Sequence, residues 1–182
     1  MATYIAFKQL NFIKMKKAIF TLCVSAFMIF TIHSNAQMVG GSMMVPTKTI
    51  PANAMNAKNL TTLVAAVKAA GLVETLESAG PFTVFAPTNE AFAKLPDGTV
   101  DNLLKPENKE QLKGVLTYHV VSGRYTSKDL KNGMTLTTVN GQTLTITKKG
   151  KSWFVNGAKI IVPDVIDKNG VSFVIDTVLL PK

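Results

Sequence analysis

The stretch Thr83–Phe92 reads TVFAPTNEAF, and it predicts a change from β-strand to α-helix within a few residues. Its first residues have the β-branched and aromatic side chains that favour a strand, and Pro87 closes that strand because proline has no N–H for a sheet ladder. Thr88 is a good helix N-cap, and Asn89 lies in the first turn that follows. The stretch therefore predicts strand, tight turn and helix, with the ring of Phe92 facing the core.

Helices are predicted on both sides of this stretch. On the N-terminal side, Asn59 is a candidate N-cap, Gly71 stands where the helix would end, and a second, shorter helix covers Leu72–Leu76. The first of these helices has apolar residues at helical spacing, namely Leu60, Leu63, Val64 and Val67. On the C-terminal side, Pro106 favours the first position of another helix, whose apolar side carries Leu112, Val115 and Leu116.

Beyond these helices the pattern changes to β-structure. Tyr118–Val121 is predicted as a strand and Thr126–Leu130 as a capped helical turn. The residues after Met134 are predicted as hairpins, and the chain is expected to end in a strand over Val171–Leu179. The C-terminal half is thus a set of antiparallel strands.

The hairpin registers follow from which apolar side chains can share a face of the sheet. A three-residue loop over Val139–Gly141, with Gly141 in the left-handed conformation, pairs Leu136 with Leu144, whereas a two-residue loop would leave them on opposite faces. The Asn156–Gly157 dipeptide favours a tight two-residue turn instead, which pairs the residues that flank it.

The first 36 residues have the layout of a secretory signal peptide. Three lysines between positions 14 and 17 precede an apolar run over Ala18–Ile32, which is shorter than the roughly 20 residues needed to span a bilayer. Ser34–Ala36 places small side chains where signal peptidase reads them. We therefore expect cleavage after Ala36 and a secreted, extracytoplasmic protein in the periplasm, at the cell surface or outside the cell. The alternative is an uncleaved signal that anchors the protein, the one membrane contact that the sequence predicts.

Removal of this segment would change the chemistry of the chain. Cys23, the only cysteine, lies inside it, so the exported protein would have neither a disulfide nor a cysteine-ligated metal. Four of the 20 basic residues also precede Gln37, which leaves 16 against 11 acidic residues and a net charge of +5 instead of +9. Arg124 is the only arginine, whereas nucleic-acid readers depend on arginine and exposed aromatic residues, so we expect no nucleic-acid partner. Residues 37–47 are predicted as a flexible lead-in and residues 48–182 as one monomeric domain.

Three segments of the chain resemble the signatures of the fasciclin domain family. They are Thr83–Phe92, Leu116–Val121 and the closing segment Gly170–Pro181. The resemblance extends over residues 48–182 and implies an α+β fold, a wedge-shaped β-sandwich flanked by several short α-helices. It also implies an extracellular role in adhesion to cells, matrix or surface polymers. One position departs from the family pattern, because Phe173 stands where the closing segment usually has a histidine.

The resemblance also selects candidate interaction residues. Segments of animal relatives that have been linked to integrin binding match the Tyr-His pair and the Ile-Asp pair of the closing segment, and the turn of the first signature adds two more positions. The candidates are Tyr118, His119, Ile175, Asp176, Thr88 and Asn89. Each also has a structural interpretation, such as a buried histidine bonded to backbone, an aspartate that accepts backbone hydrogen bonds, or a capped turn.

A cluster of lysines is a second candidate surface. Lys148, Lys149 and Lys151 lie around Gly150, the expected tip of a hairpin. Such a cluster is usually a solvated turn, but its charge also suits an anionic polysaccharide or lipopolysaccharide, by an attraction that physiological salt screens beyond roughly 8 Å.

Catalytic chemistry has little support in the sequence. His119 is the only histidine beyond the signal segment, so a triad or a metal site would depend on it alone, and a zinc site needs three or four good ligands. Carboxylate pairs can be drawn from Asp97 with Asp101, or from Asp164 with Asp167, although caps and turns also explain these residues. No nucleophile elbow, phosphate loop or dinucleotide fingerprint is present.

The resulting expectation is a non-catalytic adhesion module without a cofactor, which binds an extracellular or envelope protein or a polysaccharide. The alternative is an extracytoplasmic carrier or sensor that holds a small apolar or anionic ligand between the sheet and the helices.

Overall fold

The computed structural model of the protein describes residues 37–181, in which most helices precede residue 119 and most strands follow it. The predicted signal peptide lies outside the described residues. The elements, in chain order, are β1 (Gln37–Val39), β2 (Ser42–Met44), α1 (Ile50–Ala54), α2 (Thr61–Ala70), α3 (Val73–Glu77), β3 (Phe82–Pro87), α4 (Asn89–Ala93), α5 (Thr99–Leu103), a 3₁₀ turn (Pro106–Asn108), α6 (Lys109–Tyr118), β4 (Val120–Ser122), β5 (Thr135–Thr137), β6 (Thr143–Lys149), β7 (Ser152–Val155), β8 (Ala158–Asp167) and β9 (Gly170–Ile175). None of the described helices is long and apolar enough to cross a membrane.

Seven strands form a sheet in the order β4-β3-β9-β8-β7-β6-β5. The pairing of β3 with β9 is parallel and the other pairings are antiparallel. The two edge strands approach each other, because the N–H of Val139 donates to the carbonyl of Val120 (2.8 Å) and Val121 forms an isolated bridge with Thr138. The sheet therefore nearly closes on itself, as a barrel does.

The sheet separates two apolar clusters. Its interior is filled from several strands, and in its centre the rings of Phe85 and Phe173 stack at a centroid distance of 5.5 Å. The other cluster lies on the opposite face, where Ala86 and Val174 pack with the helices. Because β3 and β9 are buried on both faces, their sequences are mostly apolar and do not alternate, and the polar residues Thr83 and Ser172 are buried with the rest.

The strand-turn-helix prediction for the opening stretch is confirmed. Strand β3 ends at Pro87, the Thr88 hydroxyl accepts a hydrogen bond from the N–H of Ala91 (3.2 Å), and α4 begins at Asn89. Both predicted hairpin registers are also confirmed. Leu136 pairs with Leu144, and the residues that flank the Asn156–Gly157 turn pair with each other.

Several predicted boundaries differ from the structure. Helix α2 begins one residue later than predicted and receives no side-chain cap from Asn59, whose backbone carbonyl instead accepts from the N–H of Asn89 (2.8 Å). Tyr118 is the last residue of α6, and strand β4 begins only at Val120. The last strand ends at Ile175. At Tyr118 and after Ile175, tertiary contacts override the local preference of β-branched and aromatic residues for strands.

The segment Thr126–Leu130 is a turn and not a helical turn. The Asp129 carboxylate accepts hydrogen bonds from the N–H of Thr126 (2.8 Å) and from its hydroxyl (2.7 Å). This contact lowers the pKa of Asp129, first through the side-chain bond to Thr126 and then through the backbone bond. The capping signal was thus correctly located, but no helix follows it.

Residues 37–44, inside the predicted flexible lead-in, form a hairpin in the structure. Gly40 and Gly41 make its turn with positive φ values of 57° and 78°, a conformation that favours glycine. Val39 and Met44 are buried in the helical cluster, whereas the cross-strand pair Met38 and Met43 is exposed. Each strand is only three residues long, so the sequence shows too little alternation to predict it.

Candidate interaction site

His119 lies in the interior and completes its hydrogen bonds with the backbone. Nδ1 lies 2.8 Å from the carbonyl of Val115, to which it must donate, and Nε2 accepts from the N–H of Leu179 (3.0 Å). Burial lowers the pKa of His119 from 6.5 to about 4, against the opposing effect of the Val115 bond. The imidazole is therefore neutral at pH 7 and joins the end of α6 to the C-terminal segment.

The Tyr118 side chain fills the end of the barrel interior and presents only its hydroxyl to the edge. The hydroxyl accepts from Asn156 Nδ2 (2.7 Å) and donates to the carbonyl of Thr143 (3.2 Å). Asn156 is held in the left-handed region at φ 46°, and its Oδ1 accepts from the N–H of Thr145 (2.8 Å). Tyr118 thus joins helix α6 to the start of β6 and to the turn between β7 and β8.

An open groove lies over this hydroxyl. Its volume is about 970 Å³, and it is lined by the β5–β6 turn, the β7–β8 turn and the C-terminal segment. Polar groups of Thr143, Thr145 and Thr177 line it, and the side chain of Leu180, 51% exposed, adds an apolar surface. We call this surface the Tyr118 groove. It is open, mixed in polarity and rich in hydrogen-bonding groups.

The Ile-Asp pair of the closing segment divides between core and surface. Ile175 is fully buried in the barrel interior. The Asp176 carboxylate accepts from the N–H of Lys159 (2.9 Å) and the Thr177 hydroxyl (2.9 Å), and Lys94 Nζ lies 3.7 Å away. Partial burial acts to raise the pKa of Asp176, but these hydrogen bonds and the lysine charge together lower it. Asp176 is therefore an anion that fixes the end of β9 beside β8.

Thr88 and Asn89 have structural partners as well. Thr88 is buried as the cap of α4. The Asn89 amide accepts from the N–H of Thr62 (3.0 Å) and donates to the Thr61 hydroxyl (2.9 Å), so it holds the start of α2 against α4. Four of the six candidate contact residues, Tyr118, His119, Ile175 and Thr88, are thus almost entirely inside the protein, and only Asn89 and Asp176 retain a partly exposed side chain.

The lysine cluster lies where the sequence placed it, at the hairpin of β6 and β7. Lys148, Lys149 and Lys151 are exposed. Lys148 Nζ lies 4.9 Å from the centre of the Trp153 ring, and Lys149 Nζ lies 5.6 Å from the centre of Phe154, distances typical of cation–π contacts. The ammonium groups are therefore held over aromatic faces, which presents positive charge and apolar surface together.

Of the acidic pairs considered for catalysis, one is exposed on the surface and the other makes structural contacts. Asp97 and Asp101 are exposed around the start of α5. Asp164 accepts hydrogen bonds from the N–H and the hydroxyl of Ser127. Asp167 is buried. Within residues 37–181 no group of three or more histidine, cysteine, aspartate or glutamate residues is placed to hold a metal ion.

Asp167 forms the centre of a buried polar network. Its two carboxylate oxygens accept from Asn53 Nδ2 (2.6 Å) and from the Ser172 hydroxyl (2.6 Å). Burial raises the pKa of Asp167, and these two hydrogen bonds and the charge of Arg124 oppose that effect. Asn53 also bonds both the N–H and the carbonyl of Val45, so the network ties the N-terminal hairpin to the sheet.

Sequence reasoning missed the residues that shape the Tyr118 groove. Asn156 was predicted only as a turn residue, and its bond to Tyr118 joins positions 38 residues apart. The only available signal was the Asn-Gly dipeptide, since asparagine in the left-handed region of a tight turn commonly uses its side chain as a local hydrogen-bonding group. Thr177 and Leu180 carried no signal beyond their place in the closing segment.

Comparison with known proteins identifies relatives. A family model described as the fasciclin domain matches residues 58–181. Protein sll1483 of Synechocystis sp. is 53% identical over 124 residues, which cover 68% of this chain and 68% of that protein. Immunogenic protein MPB70 of Mycobacterium bovis is 41% identical over 133 residues, covering 70% of this chain and 66% of its own length. Human periostin is 36% identical over 68% of this chain, which is 15% of periostin.

Among solved structures, a FAS1 domain pair from the insect cell adhesion molecule Fasciclin I has a similar fold. The alignment has a TM-score of 0.68 at 21% sequence identity, and it covers 75% of this chain and 52% of that chain. This likeness confirms the predicted α+β fold. The matched family region begins after the N-terminal hairpin and α1.

Proposed function

The chain belongs to the fasciclin domain family, and from this premise we propose that it is a non-catalytic adhesion or interaction module. In this proposal the protein is exported by its signal peptide and binds an extracellular or envelope protein or a polysaccharide through the Tyr118 groove. The observation that carries the proposal is the groove itself, an open surface with a volume of about 970 Å³ at the segment that resembles the family's Tyr-His signature.

The occupation of the candidate catalytic groups supports a role without turnover. A general base needs a proton acceptor within reach of a substrate. His119 uses both ring nitrogens on backbone groups in the interior, and Asp167 uses both carboxylate oxygens on neighbouring side chains. These groups stabilise the fold, so binding is the function that the surface supports best.

The chemistry of the groove supports a polymer as its partner. The exposed residues Thr143 and Thr145 contribute hydroxyl groups that can donate and accept hydrogen bonds, and Leu180 offers an apolar contact. An extended chain of sugars or of peptide can use such a mixed row of groups. Fasciclin I is described as a cell adhesion molecule, and we extend that role to this chain as part of the proposal.

The lysine cluster supplies a second contact for an anionic partner. Because Lys148, Lys149 and Lys151 are exposed, their attraction to a polyanion depends on ionic strength. Replacing all three by glutamine should therefore remove the salt-sensitive part of binding to an acidic polysaccharide, while binding that depends on the groove persists. Equal salt dependence in the wild type and the triple variant would contradict this role.

The experiment that tests the function is a deletion of the gene followed by complementation. Loss of surface attachment on deletion, and its return with the wild-type gene, are the expected results. Complementation with Leu180→Arg, which puts a bulky charge on the groove, should fail, whereas Ala69→Arg, which adds the same charge on the exposed side of α2, should succeed. Unchanged attachment after deletion would contradict an adhesive function.

The alternative, an extracytoplasmic carrier or sensor of a small ligand, is favoured by one specific observation. An apolar cleft lies between the helices and the sheet, on the opposite side of β3 from the barrel interior.

A further inference from the structure

The helical layer contains the apolar cleft on which the carrier or sensor alternative rests. It has a volume of about 60 Å³ and extends from the exposed Met55 after α1 to the buried Leu116 in α6. Side chains of Leu63 and Val64 in α2 and of Leu72 line it between these ends. Because so small a volume touches residues from many helices and strands, the space is a narrow cleft and not a rounded cavity.

One wall of the cleft comes from outside the matched family region. Val39 and Met44 of the N-terminal hairpin line it, as do Ile50 and Ala54 of α1. The opposite walls come from α2, α3, β3 and β9, which lie within residues 58–181. The cleft therefore lies where the N-terminal hairpin and α1 pack against the region that the family model matches.

The cleft offers water few free hydrogen-bonding groups. Its polar lining residues are Asn53, His119, Asp167 and Ser172, and each is already bonded within the protein. A cavity needs about 10–15 Å³ of such volume to hold one water, and that water needs two to four polar partners. The space is thus large enough for several waters but is chemically suited to apolar atoms, as dry cavities in other proteins are.

We propose that this cleft binds an unbranched alkyl chain, with the chain end among Leu63, Leu72 and Leu116 and the polar head outside, beside Met55. The narrow section favours a linear chain over a ring. The flexible, unbranched Met55 side chain at the mouth can move aside for it. This site is independent of the Tyr118 groove, so its success or failure leaves the adhesive function untouched.

The test is a titration of the protein, purified after expression of the full 182-residue chain, with 1-butanol, 1-pentanol and 1-hexanol, followed by methyl NMR. The methyl signals of Leu63, Leu72 and Val84 should shift and show contacts with the alkyl protons. Each added methylene should tighten binding about fourfold until the cleft is full. Cyclohexanol also has six carbons, but its ring is wider than an alkyl chain. It should bind at least about tenfold more weakly than 1-hexanol, because a ring that leaves two methylenes outside the cleft loses their contribution.

Cleft-filling variants provide the matched control. Ala54→Leu and Val64→Phe place additional carbons into the cleft, and each should reduce 1-hexanol affinity by about tenfold or more if two or more methylenes of the ligand are displaced. Ala65→Leu adds the same carbons as Ala54→Leu on the exposed side of α2 and should bind as the wild type does. Two filling variants are used so that one remains if the other fails to fold.

Two outcomes would overturn the site. One is the absence of methyl shifts at the cleft with 1-hexanol, and the other is wild-type affinity in a folded filling variant. Sodium hexanoate and dihexanoylphosphatidylcholine then distinguish the sources of the chain. Cleft shifts with the first identify a free fatty acid as the source, and shifts with the second alone identify a phospholipid.

Discussion

Acidification should destabilise the folded domain through His119. In the folded state the imidazole is neutral, because Nδ1 donates to the carbonyl of Val115 and Nε2 accepts from the N–H of Leu179. Protonation would place a second N–H against the N–H of Leu179 inside the protein. The unfolded chain has no such restraint and takes up the proton near the ordinary pKa of 6.5.

The magnitude follows from the difference between the two pKa values. Between pH 6.5 and about 4, the unfolded state binds a proton at His119 that the folded state does not. The free energy of unfolding therefore falls as the pH falls through this window, and the loss is complete near pH 4. A difference of about 2.5 pKa units at 1.36 kcal/mol each corresponds to about 3 kcal/mol.

Asp167 changes the free energy of unfolding in the opposite direction to His119 as the pH falls. Asp129 and Asp176, whose pKa values are lowered, act below this pH range. The raised pKa of Asp167 means that its contribution to stability is present at low pH and is lost as the pH rises through the folded pKa. It therefore offsets part of the His119 effect. Asp129 and Asp176 have lowered pKa values, so their contributions are lost only as the pH falls below 3.8 towards the folded values.

The assay is urea unfolding at pH 7, 6, 5 and 4, followed by the fluorescence of Trp153, the only tryptophan. The matched variant is His119→Gln, whose amide oxygen can accept from Leu179 but whose side chain does not titrate. It should be about 1 to 3 kcal/mol less stable at pH 7, because the carbonyl of Val115 loses its donor, and it should lack the fall between pH 6.5 and 4. A wild-type profile without that fall, or an equal fall in the variant, would refute the reasoning.

Three further predictions concern single contacts, and each is measured by urea unfolding. Thr88→Ala should lower the free energy of unfolding by about 1 kcal/mol, because it removes the N-cap of α4. A decrease smaller than a few tenths of a kcal/mol would argue against the cap. Met44→Ala should lower the free energy of unfolding by about 2 kcal/mol or more, because Met44 is buried. The same change at its exposed neighbour, Met43→Ala, should alter it by no more than about 0.5 kcal/mol. Equal decreases would show that the hairpin does not pack as described. Asp167→Asn keeps an acceptor for Asn53 and does not titrate, so its stability relative to the wild type should increase as the pH rises through the folded pKa of Asp167, and a constant difference would contradict the raised pKa.

The parts of the fold that the sequence predicted are those that local chemistry determines. Thr83–Phe92 combines strand formers, a proline stop and a cap in one short stretch, and all three keep those roles in the structure. The hairpin of β5 and β6 was placed in register because only one loop length puts Leu136 and Leu144 on the same face. These features need no knowledge of distant residues.

The parts that could not be predicted depend on contacts between distant residues. Tyr118 and His119 lie in a segment whose composition predicts a strand, yet they lie at the end of helix α6. Tyr118 is held there by its bond to Asn156. His119 is held by its bonds to Val115 and Leu179. The N-terminal hairpin packs against the helices through Val39 and Met44, and the side chain of Asn53 holds Val45. The closure of the sheet, the groove and the cleft exist only once such elements meet, so no local pattern indicates them.

The most direct test of the central claim is a binding measurement on the Tyr118 groove. The purified protein, uniformly labelled with a radioisotope, is titrated onto the envelope fraction of a strain that lacks the gene, and the bound fraction is measured. Thr145→Arg should weaken binding about tenfold or more, since it places a long charged side chain on the groove and leaves the backbone bond to Asn156 in place. Ala69→Arg on α2 should bind as the wild type does. Saturable wild-type binding that Thr145→Arg abolishes is the predicted result, and equal binding by both variants and the wild type would contradict the account.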